Sequence, residues 1–283
     1  MDSDQIKAFY DSGAWDAKMV ADAAKRGFVG RLQVESITGM PFAKVVLLDY
    51  LKQCFVFSAF ENNDRKNSIT TVNSTVTFNT VNDVTINPTV TPETVAVSVS
   101  VKADHESKFD INTPFADVDV VDVAFYDKAM KATAAGIKTN VEAYMLPKLY
   151  DGSGEHMSAA IPTGGIYEML IMLKASLDDV GAPADGRFVV TTHYVLFDLM
   201  LDARFVAANN ATSGHVPRCA GFDIYTSLNE LVADKMIVGH VDSIAAVYKI
   251  NCLQSSSAQT YGNVILGATV TKPNWLKTLQ ITG

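Results

Sequence analysis

The side chains best suited to acid–base chemistry or metal binding in this sequence are five histidines: His105, His156, His193, His215 and His240. No two of them stand at a close ligand spacing, and the H-E-x-x-H pattern of zinc enzymes is absent. His105 directly precedes Glu106, and His156 directly follows Glu155. In a regular strand the two side chains of each pair would point to opposite faces. A metal site assembled from distant parts of the chain stays open as an alternative.

Motifs for phosphate binding and for nucleophilic catalysis are also missing. There is no G-x-x-x-x-G-K-[ST] and no G-x-G-x-x-G opening a helix after a strand. The triplet Gly152-Ser153-Gly154 resembles a nucleophile elbow only superficially, because no strand–turn–helix pattern surrounds it. Asp117, Asp119 and Asp122 crowd the start of a predicted helix, where capping and the helix dipole explain them better than a metal or acid–base site. We therefore expect no catalytic residue, no cofactor and no bound metal ion.

Four charged side chains remain as candidates for contacts between subunits. Arg187 begins a predicted strand, and Arg218 lies in a segment flanked by glycines. Arginine can clamp a phosphate or carboxylate with two hydrogen bonds, but an acidic chain with no other anion-binding feature favours an ion pair between subunits. Asp198 and Asp202 stand four residues apart on a predicted helix, a mildly repulsive spacing that solvation or a partner's cation would explain.

Charge and composition exclude several classes of protein. The 283 residues include 23 Lys and Arg against 31 Asp and Glu, so the net charge is −8, and no basic run marks a nucleic-acid-binding surface. With 48% hydrophobic residues the chain is not disordered. No apolar run reaches the roughly 20 residues of a membrane span, so we expect no membrane contact. Only 19% of the residues are charged, which favours either a well-buried core or extensive contact between subunits.

The strongest physical indication of assembly is the segment Asn67–Ala103, which is rich in Thr and Val and carries three charges. Four valines alternate there with small residues, at Val95, Val97, Val99 and Val101. This period of two predicts a strand with one buried face, and Pro88 and Pro92 exclude a central strand before it. We therefore expect one or two long β-hairpins. A long ribbon with so few charges is an aggregation hazard unless another chain covers it.

The remaining pattern is a mixed order of helices and strands, typical of an α+β fold. Helices are predicted over 3–27, 41–54, 117–146, 166–177 and 193–208. Pro147 is expected to end the longest of them, and residues 151–165 to form a loop. Strands are predicted over 187–190, 221–225 and 243–248, followed by a closing pair over 263–270 and 276–281.

Taken in order, these segments resemble the major capsid proteins of tailed bacteriophages, which have the Hong-Kong-ninety-seven fold. The resemblance runs from about Phe42 to the C-terminus, and its most specific stretch is Ala182–Asn229. Gly186-Arg187-Phe188-Val189-Val190 is similar to the family's turn, Gly-Arg and hydrophobic strand. Gly221-Phe222-Asp223-Ile224-Tyr225-Thr226-Ser227 is similar to its Gly-Phe-x-Val-Tyr-x-Ser passage.

The resemblance implies an α+β subunit with four parts. These are an N-terminal arm over 1–45, an E-loop region with a β-hairpin over 46–92, a discontinuous peripheral domain over 93–155 and 250–283, and an axial domain over 156–249. The long spine helix belongs to the peripheral domain.

The same resemblance implies the partners and the setting of the protein. We expect pentamers and hexamers that build a virion capsid in the host cytoplasm around double-stranded DNA, without sequence-specific binding. A scaffolding protein, a portal protein and, as a further candidate, a decoration protein would be its partners. Some family members crosslink a Lys to an Asn of another subunit. Lys66 and Asn67 lie near the predicted E-loop, but their spacing does not establish a crosslink, so Lys66 is only a candidate for a subunit contact.

Two alternatives stay open. An encapsulin-like bacterial compartment would have the same fold but enclose a cargo enzyme instead of a genome. A soluble enzyme with a site built from His193, Asp198 and Arg218 would be a compact monomer or small oligomer.

Overall fold

The structure is a computed structural model, and it describes residues 3–26, 28, 31–52, 54–59, 69–81, 96–112, 123–205, 217–254 and 259–282. The chain divides into two compact units. The first comprises Met1–Ser58, Glu106–Asn140 and Ile250–Val264. The second comprises Ala59–His105, Val141–Lys249 and Ile265–Gly283.

Short helices make up most of the N-terminal part of the first unit. They are α1 (Ser3–Asp11), α2 (Ala17–Lys25), α3 (Arg31–Thr38), α4 (Phe42–Leu51) and α5 (Phe55–Ala59). The helix predicted over 3–27 is therefore two helices, because Gly13 has a φ of +75° and the Asp16 carboxylate caps the second by accepting from the Met19 N–H at 2.8 Å. The prediction of α4 is confirmed, whereas α3 was not predicted.

Helix α6 (Val123–Asp151) is the long predicted helix, but it does not end at Pro147. Proline removes one helical hydrogen bond, and the expected stop is wrong because tertiary packing holds the last turn in place. Pro147 itself is exposed, while Leu146 and Leu149 on either side of it are fully buried. The predicted start at 117–122, with its three aspartates, lies outside the described residues.

A six-stranded sheet is the centre of the second unit, in the order β4-β11-β8-β5-β7-β6. The strands are β4 (Glu155–Ala160), β5 (Arg187–Thr191), β6 (Arg218–Cys219), β7 (Phe222–Thr226), β8 (Lys235–His240) and β11 (Leu276–Thr282). Strand β11 runs parallel to β4 and antiparallel to β8, and β5 runs parallel to β7. The loop predicted over 151–165 is thus partly wrong: β4 becomes a strand only through its pairing with β11, more than a hundred residues away.

Two helices of the second unit bury one face each in a common core. Helix α7 (Gly165–Asp179) contributes the predicted apolar stripe from Ile166 to Leu177, and α8 (His193–Met200) contributes Val195 and Leu199. Helix α8 is shorter than the predicted 193–208, and residues 206–208 lie outside the described part of the chain.

The other strands form two small sheets. Strands β1 (Ser74–Val81) and β2 (Ala96–Ala103) pair antiparallel as a ribbon, which confirms a hairpin in this region. Strands β3 (His105–Asn112), β9 (Ile244–Gln254) and β10 (Gln259–Val270) form a sheet in the order β3-β10-β9. The strands predicted as a closing pair, β10 and β11, are present but lie in different sheets. Strand β10 pairs with β3 and β9, whereas β11 pairs with β4 and β8.

We predict opposite effects on stability for two glycine-to-alanine substitutions. A Cβ on Gly267 of β10 would lie 2.7 Å from the Ala103 Cα and also collide with the Lys102 carbonyl, and backbone atoms cannot easily retreat. Gly267→Ala should lower the free energy of unfolding by about 1–3 kcal/mol. Gly136 in α6 has open space around its Cβ position, so Gly136→Ala should raise it by about 0.5–1 kcal/mol. Urea denaturation checks both, and equal effects would contradict the packing at Gly267.

Candidate assembly surfaces

The root of the β1–β2 ribbon has one apolar face and one polar face. Val76 pairs with Val101 in the register, and both are buried against Val247 and Ile265. The next pair, Thr77 and Ser100, is exposed. The alternation predicted from the valines is confirmed in β2, where partly buried Val99 and buried Val101 flank the exposed Ser100.

A cluster of polar side chains ties the end of this ribbon to α6. Asp104, directly after β2, accepts a hydrogen bond from the Tyr144 hydroxyl, and the Lys148 Nζ lies 3.6 Å from its Oδ1. The His105 ring stacks on Tyr144 with 4.6 Å between centroids. Burial, with the carboxylate of Asp104 beside it, raises the pKa of Tyr144 well above its ordinary value, so the hydroxyl stays a donor. The ribbon therefore leaves the body of the second unit from a fixed root.

Arg187 is buried inside its own subunit, with 2% of its side chain exposed. Its Nε donates to the Pro183 carbonyl at 2.6 Å, and its terminal nitrogens donate to the Asp178 carboxylate at 2.7 Å and to the carbonyls of Ala182 and Lys174. The guanidinium thereby joins the end of α7, the following turn and β5. All these partners lie within the subunit, and a contact of Arg187 with another subunit stays a prediction.

Two of the other candidates also have partners within the subunit. The Nε of the half-exposed Arg218 lies 3.4 Å from the Asp223 Oδ1, across the β6–β7 pair. Asp202 accepts two hydrogen bonds from the Arg204 guanidinium, at 2.9 and 2.6 Å, which lower the pKa of this carboxyl to about 2. Asp202 thus has a cation beside it within the subunit, and its contact with a partner's cation stays a prediction.

The remaining candidates for subunit contacts are Asp198 and Lys66. The Asp198 carboxylate is exposed on α8 and has no hydrogen bond or ion pair with any residue that the structure describes. Lys66 lies outside the described residues.

Large apolar side chains on and beside α8 face away from the core, and we call this surface the α8 patch. Its members are between 56% and 88% exposed: Tyr194, Phe197, Met200, Leu201 and Leu228. Leu228 lies near the start of α8, because the N–H of the preceding residue, Ser227, donates to the Thr191 carbonyl at 2.9 Å, just before the helix begins. The sequence analysis does not predict the patch, although a signal exists: apolar residues of α8 lie on both its buried and its exposed side, as in a helix covered on both faces.

The residues of the alternative enzyme site do not form a catalytic group. The His193 Nε2 lies 3.2 Å from the Thr226 Oγ1, Asp198 has no side-chain partner among the described residues, and Arg218 pairs with Asp223. Within the described ranges, no three His, Cys, Asp or Glu side chains cluster as metal ligands. Nor is any helix there long and apolar enough to cross a membrane.

The first unit contains a cleft of about 740 Å³ on the sheet β3-β10-β9, lined in part by Phe109 and Tyr261. Polar side chains around it are bonded to one another. The Gln259 amide donates to Asp110 at 3.0 Å, and the Asn251 amide to Asn263 at 2.8 Å. These hydrogen bonds join neighbouring strands of the sheet.

Comparison with solved structures decides the fold. A chain from Mycobacterium phage Che8 superposes with a TM-score of 0.50 at 17% identity, covering 79% of this chain and 90% of that one. The capsid of Ralstonia phage GP4 gives 0.49 at 9% identity, with coverage of 82% and 92%. A virus-like particle from Pyrococcus furiosus gives 0.46 at 11%, with coverage of 83% and 96%. No protein-family model and no curated protein matches the sequence.

The chain has the Hong-Kong-ninety-seven capsid fold. Helix α6 and the β1–β2 ribbon correspond to the elements predicted as the spine helix and the E-loop hairpin. The α+β class predicted from the sequence is confirmed. The four predicted domain boundaries stay a prediction, since the two compact units divide the chain differently.

We predict that the buried ring of His240 makes the folded subunit less stable in acid. The ring accepts from the Asp242 N–H at 3.1 Å through Nδ1 and contacts the Asp185 carbonyl through Nε2, which fits the neutral form. Burial lowers its pKa despite the bond to Asp185. The unfolded chain, with a pKa of about 6.5, therefore binds more protons, so folded stability falls as the pH drops below that value.

The pH dependence is measured as the free energy of unfolding between pH 7.5 and 5. His240→Gln should have a shallower slope than the unsubstituted chain over this range. An equal slope in both would show that this ring does not carry the effect.

Proposed function

We propose that this chain is the major capsid protein of a tailed double-stranded DNA bacteriophage. In this role it would assemble as pentamers and hexamers into an icosahedral shell around the genome. The observation that carries the proposal is the capsid fold, since the superposition covers 90% of the chain from Mycobacterium phage Che8. The exposed α8 patch and the ribbon support it, because both offer surface that a second chain would cover.

The finer parts of the proposal concern partners and location. The shell would be assembled in the host cytoplasm, with a scaffolding protein, a portal protein and, as a further candidate, a decoration protein. An acidic chain with a net charge of −8 would enclose DNA through confinement and counterions, with no sequence-specific contact. We propose that the chain has no catalytic activity and binds no cofactor.

The test is to express the chain alone and with candidate scaffolding proteins, and to examine the products by negative-stain electron microscopy. Shells, tubes, or rings of five and six support the proposal. Native particles that hold DNA indicate a virus, whereas a lumen filled with protein would indicate an encapsulin-like compartment. Compact monomers under every condition would overturn the capsid function and favour the enzyme alternative.

A further inference from the structure

The α8 patch is a ridge of apolar side chains with the exposed carboxylate of Asp198 beside it. Tyr194, Phe197 and Leu201 follow one another at spacings of three and four, so they project from one side of the helix. Asp198 lies four residues after Tyr194 and three before Leu201, on the same side. An apolar surface of this kind on a soluble protein marks a docking site.

A second surface on α7, which we call the α7 patch, also combines exposed apolar side chains with a charge that has no described partner. Glu168, exposed on the same side one turn before Ile171, is held by the Gly164 N–H at 2.9 Å. Ile171 and Met172 are 45% and 48% exposed on α7. Lys174, three residues after Ile171, is exposed, and its ammonium has no hydrogen bond or ion pair within the described part of the chain. The second unit thus carries two apolar patches, one flanked by a carboxylate and one by an ammonium, each lacking a described counter-ion.

A closed ring of five or six identical subunits needs two different surfaces, because each copy must contact its neighbours head to tail. Two α8 patches facing each other would instead bring two Asp198 carboxylates together in an apolar contact, which is unfavourable. Pairing an α8 patch with an α7 patch brings a carboxylate to an ammonium.

We propose that the α8 patch of one copy docks on the α7 patch of the next copy in the ring, with Asp198 facing Lys174. The occupant of the α8 patch is therefore a second copy of this chain. This inference rests on the proposed capsid function, which requires such rings. The apolar ridge supplies the contact area, and the charge pair sets the register and selects the head-to-tail arrangement.

A charge exchange tests the pairing. Asp198→Lys and Lys174→Asp should each lower the yield of rings and shells about tenfold, since each opposes like charges at a desolvated contact. The double variant, Asp198→Lys with Lys174→Asp, should restore most of the yield. Asp151→Lys, an exposed charge reversal at the end of α6, is the matched control and should assemble normally. Yields are measured by sedimentation and electron microscopy.

The apolar ridge is tested separately with Phe197→Ser, whose side chain is 58% exposed. Its thermal unfolding should match that of the unsubstituted chain, while ring formation is lost. Leu253→Ser, 56% exposed on β9 of the first unit, is the matched control and should form rings normally.

The outcomes separate this inference from the proposed function. If the unsubstituted chain forms shells but the double variant assembles no better than the single variants, the pairing is wrong and the capsid function stands. If the substitutions leave shells intact and abolish binding of a scaffolding protein, the occupant is that protein and the inference fails. If the unsubstituted chain never assembles, the capsid function itself fails.

Discussion

Shortening the β1–β2 ribbon is expected to abolish shell formation while the subunit stays folded. The register places Val81 directly opposite Ala96, so residues 82–95 can be replaced by Asn-Gly, which closes a two-residue hairpin between these ends. The root of the ribbon keeps its contacts with Val247 and Ile265. What is removed is the part that we expect to lie over a neighbouring subunit.

Assembly of this variant is measured by electron microscopy and sedimentation, and its folding by circular dichroism and thermal unfolding. The unfolding midpoint should stay close to that of the full chain. A control that replaces 82–95 with fourteen Gly and Ser residues keeps the length of the segment and removes its sequence. Normal shells from the shortened variant would refute the role of the ribbon in assembly.

Replacing Arg187 is expected to destabilise the folded subunit more than replacing Asp198, Asp202 or Arg218, whose charged groups are less buried. Arg187→Met would fill much of the same space but leave the carbonyls of Ala182 and Pro183 without their donors. We expect the free energy of unfolding to fall by about 3–5 kcal/mol, because several hydrogen bonds to a buried charge are lost together. Urea denaturation of the purified subunit measures the change.

Two further variants separate the contribution of the carbonyls from that of the ion pair. Asp178 is half exposed, so Asp178→Asn should cost less than about 1 kcal/mol. Arg187→Lys keeps the charge but loses the planar fork, and should fall between the other two. If Arg187→Met leaves the free energy of unfolding unchanged but abolishes assembly, Arg187 instead acts in a contact between subunits.

Elements with a strong local pattern were predicted well. The stripe from Ile166 to Leu177 requires an amphipathic helix, and the hydrophobic run after Arg187 requires a buried strand; both are present. The alternation in β2 and the proline-interrupted segment before it predicted the ribbon. The order of these elements, with the short motifs around Gly186 and Gly221, pointed to the capsid fold.

Features that depend on distant residues were predicted poorly. Strand β4 has only a short alternation, at Met157 and Ala159, and its backbone finds a partner only when β11 lies beside it. Helix α6 passes Pro147 because buried neighbours compensate for the lost hydrogen bond. Strands β10 and β11 each have the right length, but their partners lie in separate sheets.

The candidate site residues show the same division. The sequence by itself determined that this acidic, charge-poor chain with a β-ribbon and a long helix lacks the motifs of common enzymes, because composition and local periodicity can be read without knowing contacts. Only the tertiary structure decided that Arg187 is an internal anchor and that Asp202 is paired with Arg204. It also decided that Tyr194, Phe197 and Met200 of α8 point outward while Val195 and Leu199 are buried. The physical reason is that burial and pairing are set by which elements pack together, and a side chain's own sequence neighbours do not specify that packing.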